Sequence, residues 1–200
     1  ESVFLPLYGQ FNVYNVAAVV AYGLSKGHEL KRILAVCSKL KPVLGRMQQV
    51  LGAESDPLVL VDYAHTPDAL EQVLKSVKQH NAGKIILVVG CGGDRDPGKR
   101  PLMGEISVRN AEQVIFTSDN PRTESAEKIC ENMTQGLADS YLIELDRQQA
   151  IEQAISLASH QDIVVIAGKG HEDYQEIDGQ RQYFSDASVA QKAMQAGALT

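Results

Sequence analysis

Lys84-Ile85-Ile86-Leu87-Val88-Val89-Gly90-Cys91-Gly92-Gly93-Asp94-Arg95-Asp96 decides the fold. Its first half is an unbroken apolar run, short and rich in β-branched residues, which reads as a strand buried on both faces. Its second half is a glycine-rich loop that ends in a charged cluster. The same grammar returns twice downstream. Gln113-Val114-Ile115-Phe116 leads into Asp119-Asn120-Pro121-Arg122, and Asp162-Ile163-Val164-Val165-Ile166-Ala167 leads into Gly168-Lys169-Gly170-His171-Glu172. In open α/β sheets, ligands bind beyond the carboxyl ends of the strands. Arg95 and Arg122 therefore suggest one crevice that holds a carboxylate or a phosphate, because a guanidinium pairs such groups bidentately.

Outward from this stretch, strand and helix periods alternate. Leu58-Val59-Leu60-Val61 reads as a buried strand. A helix over 67–79 follows, with Pro67 in its first turn, Thr66 as cap and Leu70, Val73, Leu74 and Val77 on one face. Pro101 opens a helix to about residue 110, and a strand covers 113–117. A helix over 125–138 buries Ala126, Ile129, Cys130, Met133 and Leu137, and 141–145 reads as a strand. Asp146 with Gln149 resembles a capping box ahead of a helix to about residue 159. Asp178-Gly179 marks a hairpin between 175–177 and 180–184, and Ser185 or Asp186 caps a last helix. Near the start, 3–7 reads as a short strand, followed by helices over 12–24 and 29–39. Pro42, Gly45 and Gly52 then interrupt the pattern and place a domain boundary near 40–46. The expected fold is α/β, a mostly parallel sheet with helices on both faces and one antiparallel edge strand supplied by the hairpin.

Composition excludes several classes. The chain has 200 residues, 44% of them hydrophobic, and a net charge of -6. That charge argues against a nucleic-acid partner held through phosphates. No apolar run of 18 residues occurs, so no membrane span is expected. Residue 1 is Glu and the start reads as strand and helix, so no secretory leader is expected. Cys37, Cys91 and Cys130 form no CxxC pair, which indicates neither a zinc site nor a disulfide framework and suits a reducing cytoplasm. Cys91 in the glycine loop reads either as a nucleophile or as a small residue tolerated in a tight turn.

The remaining strings each carry two readings. The glycine loop matches neither the full GxxxxGK[ST] nor the GxGxxG string, so it is a structural turn or a ligand loop of another kind. Asp119-Asn120-Pro121-Arg122 is a plain turn or a recognition loop. Gly168-Lys169-Gly170-His171-Glu172 is a glycine turn with solvated charges, or a place where backbone N–H groups approach a ligand while Glu172 accepts an ammonium. Asp62, after its strand, could hold a ribose diol. His65 reads as a helix-start hydrogen bonder. Asn12 and Asn15 share one side of a helix start and either cap it or face an adenine edge. Arg46 is an exposed loop arginine, or one that hinges two domains and reaches a phosphate.

Taken in order, Gly9-Gln10-Phe11-Asn12-Val13-Tyr14-Asn15, Gly45-Arg46-Met47, Asp62-Tyr63-Ala64-His65-Thr66-Pro67, Gly90-Cys91-Gly92-Gly93-Asp94-Arg95-Asp96, Asp119-Asn120-Pro121-Arg122 and Gly168-Lys169-Gly170-His171-Glu172 resemble the Mur ligase family. The match is nearest to the branch that adds the third residue of the peptidoglycan stem peptide. The resemblance implies an ATP-dependent acid–amino-acid ligase of cell-wall biogenesis. ATP and Mg²⁺ convert the D-glutamyl carboxylate of UDP-N-acetylmuramoyl-L-alanyl-D-glutamate (the UDP-MurNAc-dipeptide) into an acyl phosphate, which the amine of the incoming amino acid attacks. It implies three domains. Residues 1–43 would end the central, P-loop-type domain, and 44–200 would form the Rossmann-like C-terminal domain. By the same resemblance Asn12 and Asn15 face adenine, Asp62 the ribose, and Arg46 the phosphates. Arg95, Asp119, Asn120, Arg122, Gly168 and Glu172 take the amino acid. Arg122 points to meso-2,6-diaminopimelate, since the lysine-adding branch lacks that arginine; lysine-adding and folylpolyglutamate-type ligases, or a non-catalytic amino-acid-binding module, are the alternatives. No P-loop, UDP-sugar domain, Mg²⁺ ligand or catalytic residue is expected within these residues, so the chain alone is expected to be inactive.

Overall fold

The computed structural model describes residues 2–79, 83–138 and 141–197. Two helices come first, α1 (Gln10–Ser25) and α2 (Leu30–Cys37), then strands β1 (Gln48–Val50) and β2 (Leu58–Asp62). Helix α3 (Pro67–Lys78), β3 (Ile85–Val89), α4 (Lys99–Asn110), β4 (Gln113–Phe116), α5 (Ala126–Thr134), β5 (Leu142–Ile143), α6 (Arg147–Leu157) and β6 (Ile163–Ala167) alternate after them. The chain closes with the hairpin β7 (Tyr174–Ile177) and β8 (Gln180–Tyr183) and with α7 (Asp186–Gly197).

The main sheet has the order β1-β2-β6-β3-β4-β5. All its pairs are parallel except β1 with β2. Parallel strands joined by helices must be covered on both faces, and side chains two apart in a strand share a face. In β3, Ile85, Leu87 and Val89 join a core with Leu70, Val73, Leu74 and Val77 of α3, Met103 of α4 and Ile129 and Met133 of α5. Ile86 and Val88 join the opposite core with Ala150, Ile151 and Ala154 of α6 and Ala190 and Met194 of α7. β6 divides in the same way, with Val165 on the first side and Val164 and Ile166 on the second. Each such fully buried aliphatic side chain contributes about 1.5–3 kcal/mol. This two-sided burial is why the runs read as continuous rather than alternating.

Caps follow the expected chemistry. Thr66 Oγ1 accepts from Ala69 N at 3.3 Å, and Asp146 Oδ1 accepts from Gln148 N at 2.8 Å and Gln149 N at 3.2 Å. Ser185, not Asp186, caps α7: its Oγ accepts from Ser188 N at 3.3 Å. Asp186 instead lies fully buried, its Oδ1 and Oδ2 accepting from Arg147 Nε and Nη2, both at 2.8 Å. Arg147 Nη1 donates to Ser118 O at 3.2 Å and Nη2 to Ala167 O at 3.1 Å. Burial works to lower the Arg147 pKa, but the carboxylates of Asp186, Asp119 and Glu172 together more than offset it and the pKa ends raised.

Three expectations are corrected. Residues 3–7 form no strand, because Pro6 has no N–H to donate and no described strand pairs with them. The antiparallel edge is β1, with Gln48 opposite Val61, while β7 and β8 form a separate two-stranded sheet. β1 escaped detection because Gln48-Gln49-Val50 is short and polar, and only its pairing with β2 defines it. The strand expected over 141–145 shrinks to β5, whose two residues are exposed at the far edge.

Arg147→Ala and Asp186→Ala should each destabilise the domain by about 3–5 kcal/mol, since each strands a buried charge. Replacing both with apolar residues should cost less than either single change. Denaturant titration of the three variants measures this, and a loss under about 1 kcal/mol for the single variants would contradict it.

Candidate functional site

Because β3, β4 and β6 are parallel neighbours, the loops 90–96, 118–122 and 168–172 emerge at one end of the sheet. The loop after β4 is unusual in being buried: Thr117, Ser118, Asp119 and Asn120 are all shielded from solvent. Strand β7 explains how most of its polar groups are satisfied. Gln175 Nε2 donates to Ser118 Oγ at 2.8 Å and to Asp119 O at 2.9 Å. Glu176 N donates to Asn120 Oδ1 at 3.0 Å, Arg122 N to Glu176 O at 2.9 Å, and Asp178 N to Arg122 O at 2.7 Å. The hairpin thus templates the Asp-Asn-Pro-Arg loop almost residue by residue. It also holds Arg122 at φ +54°, a left-handed conformation that a residue with a Cβ avoids unless fixed from outside.

Arg122 reaches back over the glycine loop. Its Nη1 donates to Gly93 O at 2.7 Å and to Asn120 O at 3.5 Å. Nη2 and Nε make no hydrogen bond among the described residues, which leaves one edge of the fork open. Arg95 is exposed and unpaired among the described residues. Its neighbour Asp94 is tied down by Thr123, whose Oγ1 donates to Asp94 Oδ1 at 2.8 Å. Arg95 and Arg122 both flank Gly92.

Behind them lies a polar cluster. Asn120 Nδ2 donates to Glu172 Oε2 at 2.8 Å, and Lys169 Nζ donates to Asn120 Oδ1 at 2.9 Å. Lys169 is fully buried. Gly168 has φ +116°, and a Cβ there would stand 2.6 Å from Asp119 Oδ2, so only glycine lets β6 end against Asp119. The Asp119 carboxylate is therefore turned into the domain rather than toward solvent. Burial pushes its pKa up, while Arg147 and Lys169 pull it down. Two guanidinium groups and a carboxylate on one rim, the carboxylate backed by a buried amide, can receive a zwitterionic ligand.

A second grouping lies beside α1 and α2. Asn12, Asn15 and Arg46 line one cavity of about 380 Å³ whose other walls include Val16, Val19, Ile33 and Leu40. Asn12 is not a cap: Gly9 holds that position, and Asn12 Nδ2 donates to Tyr8 O at 2.6 Å. Asp62 stands apart from this cavity. It is buried, its Oδ2 accepts from Met47 N at 2.7 Å, and it fixes the segment that carries Arg46. Burial raises its pKa, and the backbone bonds from Met47 and Ala64 oppose the rise. Arg46 lies over the Tyr63 ring at 4.8 Å, and Tyr63 lies 4.5 Å from His65 and 5.3 Å from His171 between ring centroids. Gly45, at φ +67°, abuts the backbone of Gly170 and His171 so closely that any Cβ would overlap it. The two groupings thus meet at Gly45.

Sequence reasoning missed several parts. The charge beside the glycine loop is partly structural: Arg100 is buried and donates to both oxygens of Glu124, at 2.8 and 2.9 Å. Lys99 Nζ donates to His65 O at 2.7 Å. Lys169 and the Arg147–Asp186 pair carried no signal of burial in the sequence, and Gln175 none of its bonds to the loop after β4. Cys91 is buried with Sγ 3.5 Å from Met103 Sδ, and burial pushes its thiol up to about 12. This burial argues against the nucleophile reading, since a thiolate is needed. Among the described residues no helix is long and apolar enough to cross a membrane, and no group of three or more His, Cys, Asp or Glu side chains could hold a metal ion.

Comparison with known proteins gives a consistent result. The family described as Mur ligase, glutamate ligase domain, matches residues 45–170. A UDP-N-acetylmuramoyl-L-alanyl-D-glutamate--2,6-diaminopimelate ligase of Haemophilus ducreyi is 50% identical over 190 residues, covering 93% of this chain and 38% of that protein. The protein of the same name in Pseudomonas putida is 48% identical over 192 residues, covering 95% and 38%. A solved structure of a ligase of this name superposes with a TM-score of 0.78 at 46% identity, covering 99% of this chain and 41% of that one. The chain therefore spans about two fifths of the length of these relatives.

Cys91 and Cys130, the latter pushed up to about 11 by burial, should be inert in the folded state. Labelling with a thiol reagent at pH 8 should modify them only as fast as the chain unfolds, and rapid labelling of either in native protein would contradict this burial.

Proposed function

Because this chain belongs to the Mur ligase family, we propose that it is the C-terminal part of a cytoplasmic ligase that adds meso-2,6-diaminopimelate to UDP-N-acetylmuramoyl-L-alanyl-D-glutamate. The observation that carries the substrate is the Arg122 guanidinium, held over the glycine loop by Gly93 O with one edge of its fork free of partners among the described residues. The identity of about one half to diaminopimelate ligases supports it. Residues 1–43 are assigned to the end of the central nucleotide-binding domain and 44–200 to the amino-acid-binding domain.

Each end of diaminopimelate carries an ammonium and a carboxylate. In this reading Arg122 and Arg95 take carboxylate oxygens, and Glu172 accepts an ammonium. Asn120 and the backbone at Gly168 complete the cradle. Asp119 acts from behind, where its charge steadies Lys169 and Arg147. Lysine has no second carboxylate and would leave the Arg122 fork unpaired. A charge-assisted bidentate pair contributes about 3 kcal/mol, or roughly 10²-fold in Kd.

The cavity between α1 and α2 suits the nucleotide, since apolar walls take a purine face and amides its N6 and N7 edge. Asn12 and Asn15 would hold the base of ATP, Arg46 its phosphates, and Asp62 the ribose or, as its bond to Met47 suggests, the loop beneath it. ATP supplies the phosphoryl group that activates the D-glutamyl carboxylate. Mg²⁺ is assigned to the part of the parent protein outside this chain, since the described residues offer it no ligand cluster. What this chain contributes is position: an amine fixed near its target turns a bimolecular attack into a local one.

Calorimetric titration of this chain with meso-diaminopimelate, with L-lysine as control, should show binding of diaminopimelate and roughly 10²-fold weaker binding of lysine. Arg122→Ala should abolish the difference. Equal affinity for lysine, or an Arg122→Ala variant that still discriminates, would overturn the substrate, and no binding of either would show that the site is not complete within these residues. The chain alone should release no phosphate from ATP in the presence of both substrates, because it contains no GxxxxGK[ST] string; turnover would refute that.

A further inference from the structure

Asn120 is a neutral side chain set between the charged Lys169 and Glu172, and its amide has two chemically different faces. Oδ1 accepts from Lys169 Nζ at 2.9 Å and from Glu176 N at 3.0 Å, while Nδ2 donates to Glu172 Oε2 at 2.8 Å. Turned over, the amide would set its NH₂ against two donors and its oxygen against a carboxylate. The network therefore admits a single orientation. Glu176 N is a neutral donor from the hairpin backbone, whereas Lys169 brings a buried ammonium, and hydrogen bonds from an ionised donor are about twice as strong.

Nothing in the binding geometry requires Lys169 to touch a ligand. Its side chain has no exposed surface, its Nζ lies 3.5 Å from Glu172 Oε2, and it sits 5.3 Å from the centroid of the Tyr174 ring. Burial lowers its pKa, while the carboxylates of Asp119 and Glu172 act to raise it. Oε1 of Glu172 accepts no hydrogen bond among the described residues, so it is the oxygen available to an incoming cation.

We propose that Lys169 is a positioning residue for the amino-acid site: it fixes the orientation of the Asn120 amide, and through it aims the free oxygen of Glu172 at the ammonium of the incoming amino acid. This rests on the reading of the rim as an amino-acid site. The proposal makes a prediction opposite in sign to simple electrostatics. A lysine that served only as a positive charge beside Glu172 would repel the ligand's ammonium, and its removal would tighten binding. A lysine that orients the amide would weaken binding when removed.

The test is a double-mutant cycle on this chain, read by calorimetry with meso-diaminopimelate. Lys169→Met should weaken binding roughly tenfold, yet in an Asn120→Ala background the same change should alter Kd by less than about twofold, because residues that act through one another are not additive. Tighter or unchanged binding in Lys169→Met, or additive losses in the double variant, would overturn the proposal. The side-chain amide resonances of Asn120, recorded without ligand, give a second readout. The unaltered chain should show one well-dispersed pair of Nδ2 protons, one of them slow to exchange with solvent, and the pair should broaden in Lys169→Met. If that variant does not fold, fast exchange of both protons in the unaltered chain is still enough to overturn the proposal. Absence of diaminopimelate binding by the unaltered chain would instead show that the amino-acid site is not complete within these residues, and the amide spectrum would then decide by itself whether Lys169 orients Asn120.

Discussion

The buried pair of Arg147 and Asp186 is the constraint on which the loop-bearing end of the sheet depends. One guanidinium ties the first residue of α7 to the first residue of α6 and donates to Ser118 O and Ala167 O. Those two carbonyls stand immediately before Asp119 and Gly168, so a single side chain fixes the roots of both loops. Fixing the roots is what lets short loops present their side chains with little freedom. A buried pair of this kind adds little stability over a well-packed apolar core. Its use here lies in direction, since only a planar fork can satisfy a carboxylate and two strand-end carbonyls together.

From those roots the loops are built by neighbours distant in sequence. The hairpin β7–β8 lies more than 50 residues after the Asp-Asn-Pro-Arg loop, yet supplies hydrogen bonds to Ser118, Asp119, Asn120 and Arg122. Asp94 and Thr123 then join the glycine loop to the same segment. On the other flank, Tyr63 lies between Arg46, His65 and His171, and Gly45 packs on Gly170. A shift of the segment carrying Arg46 therefore bears directly on the loop carrying Glu172, which gives the proposed nucleotide and amino-acid sites a short physical path between them.

The reading of the site from sequence was uneven for physical reasons. Arg122 and Glu172 stand on one rim and Asn120 lies buried against Glu172, because short loops after adjacent parallel strands have little choice of place. Arg95 stays on that rim but is free of partners among the described residues. Asp119 and Asp62 carry the same acidic signal as Glu172, yet both are turned inward onto protein groups. The charge at Arg100 pairs with Glu124, and the lysine next to Gly168 is buried rather than solvated. Charge in a sequence says that a group must find a partner; which partner it finds depends on elements that fold over it later.

The sequence by itself determined the alternation of apolar strands and amphipathic helices, the two-sided burial of the central strands and the end of the sheet where loops gather. These follow from local periodicity and from the need to cover both faces of a parallel sheet. It also carried the family strings. The tertiary structure alone decided that Gln48-Gln49-Val50 is the antiparallel edge and that the hairpin leaves the main sheet to template a loop. It alone decided that Lys169 and Arg147 lie fully buried. Those outcomes rest on hydrogen bonds between residues tens of positions apart, for which a linear string holds no periodic trace.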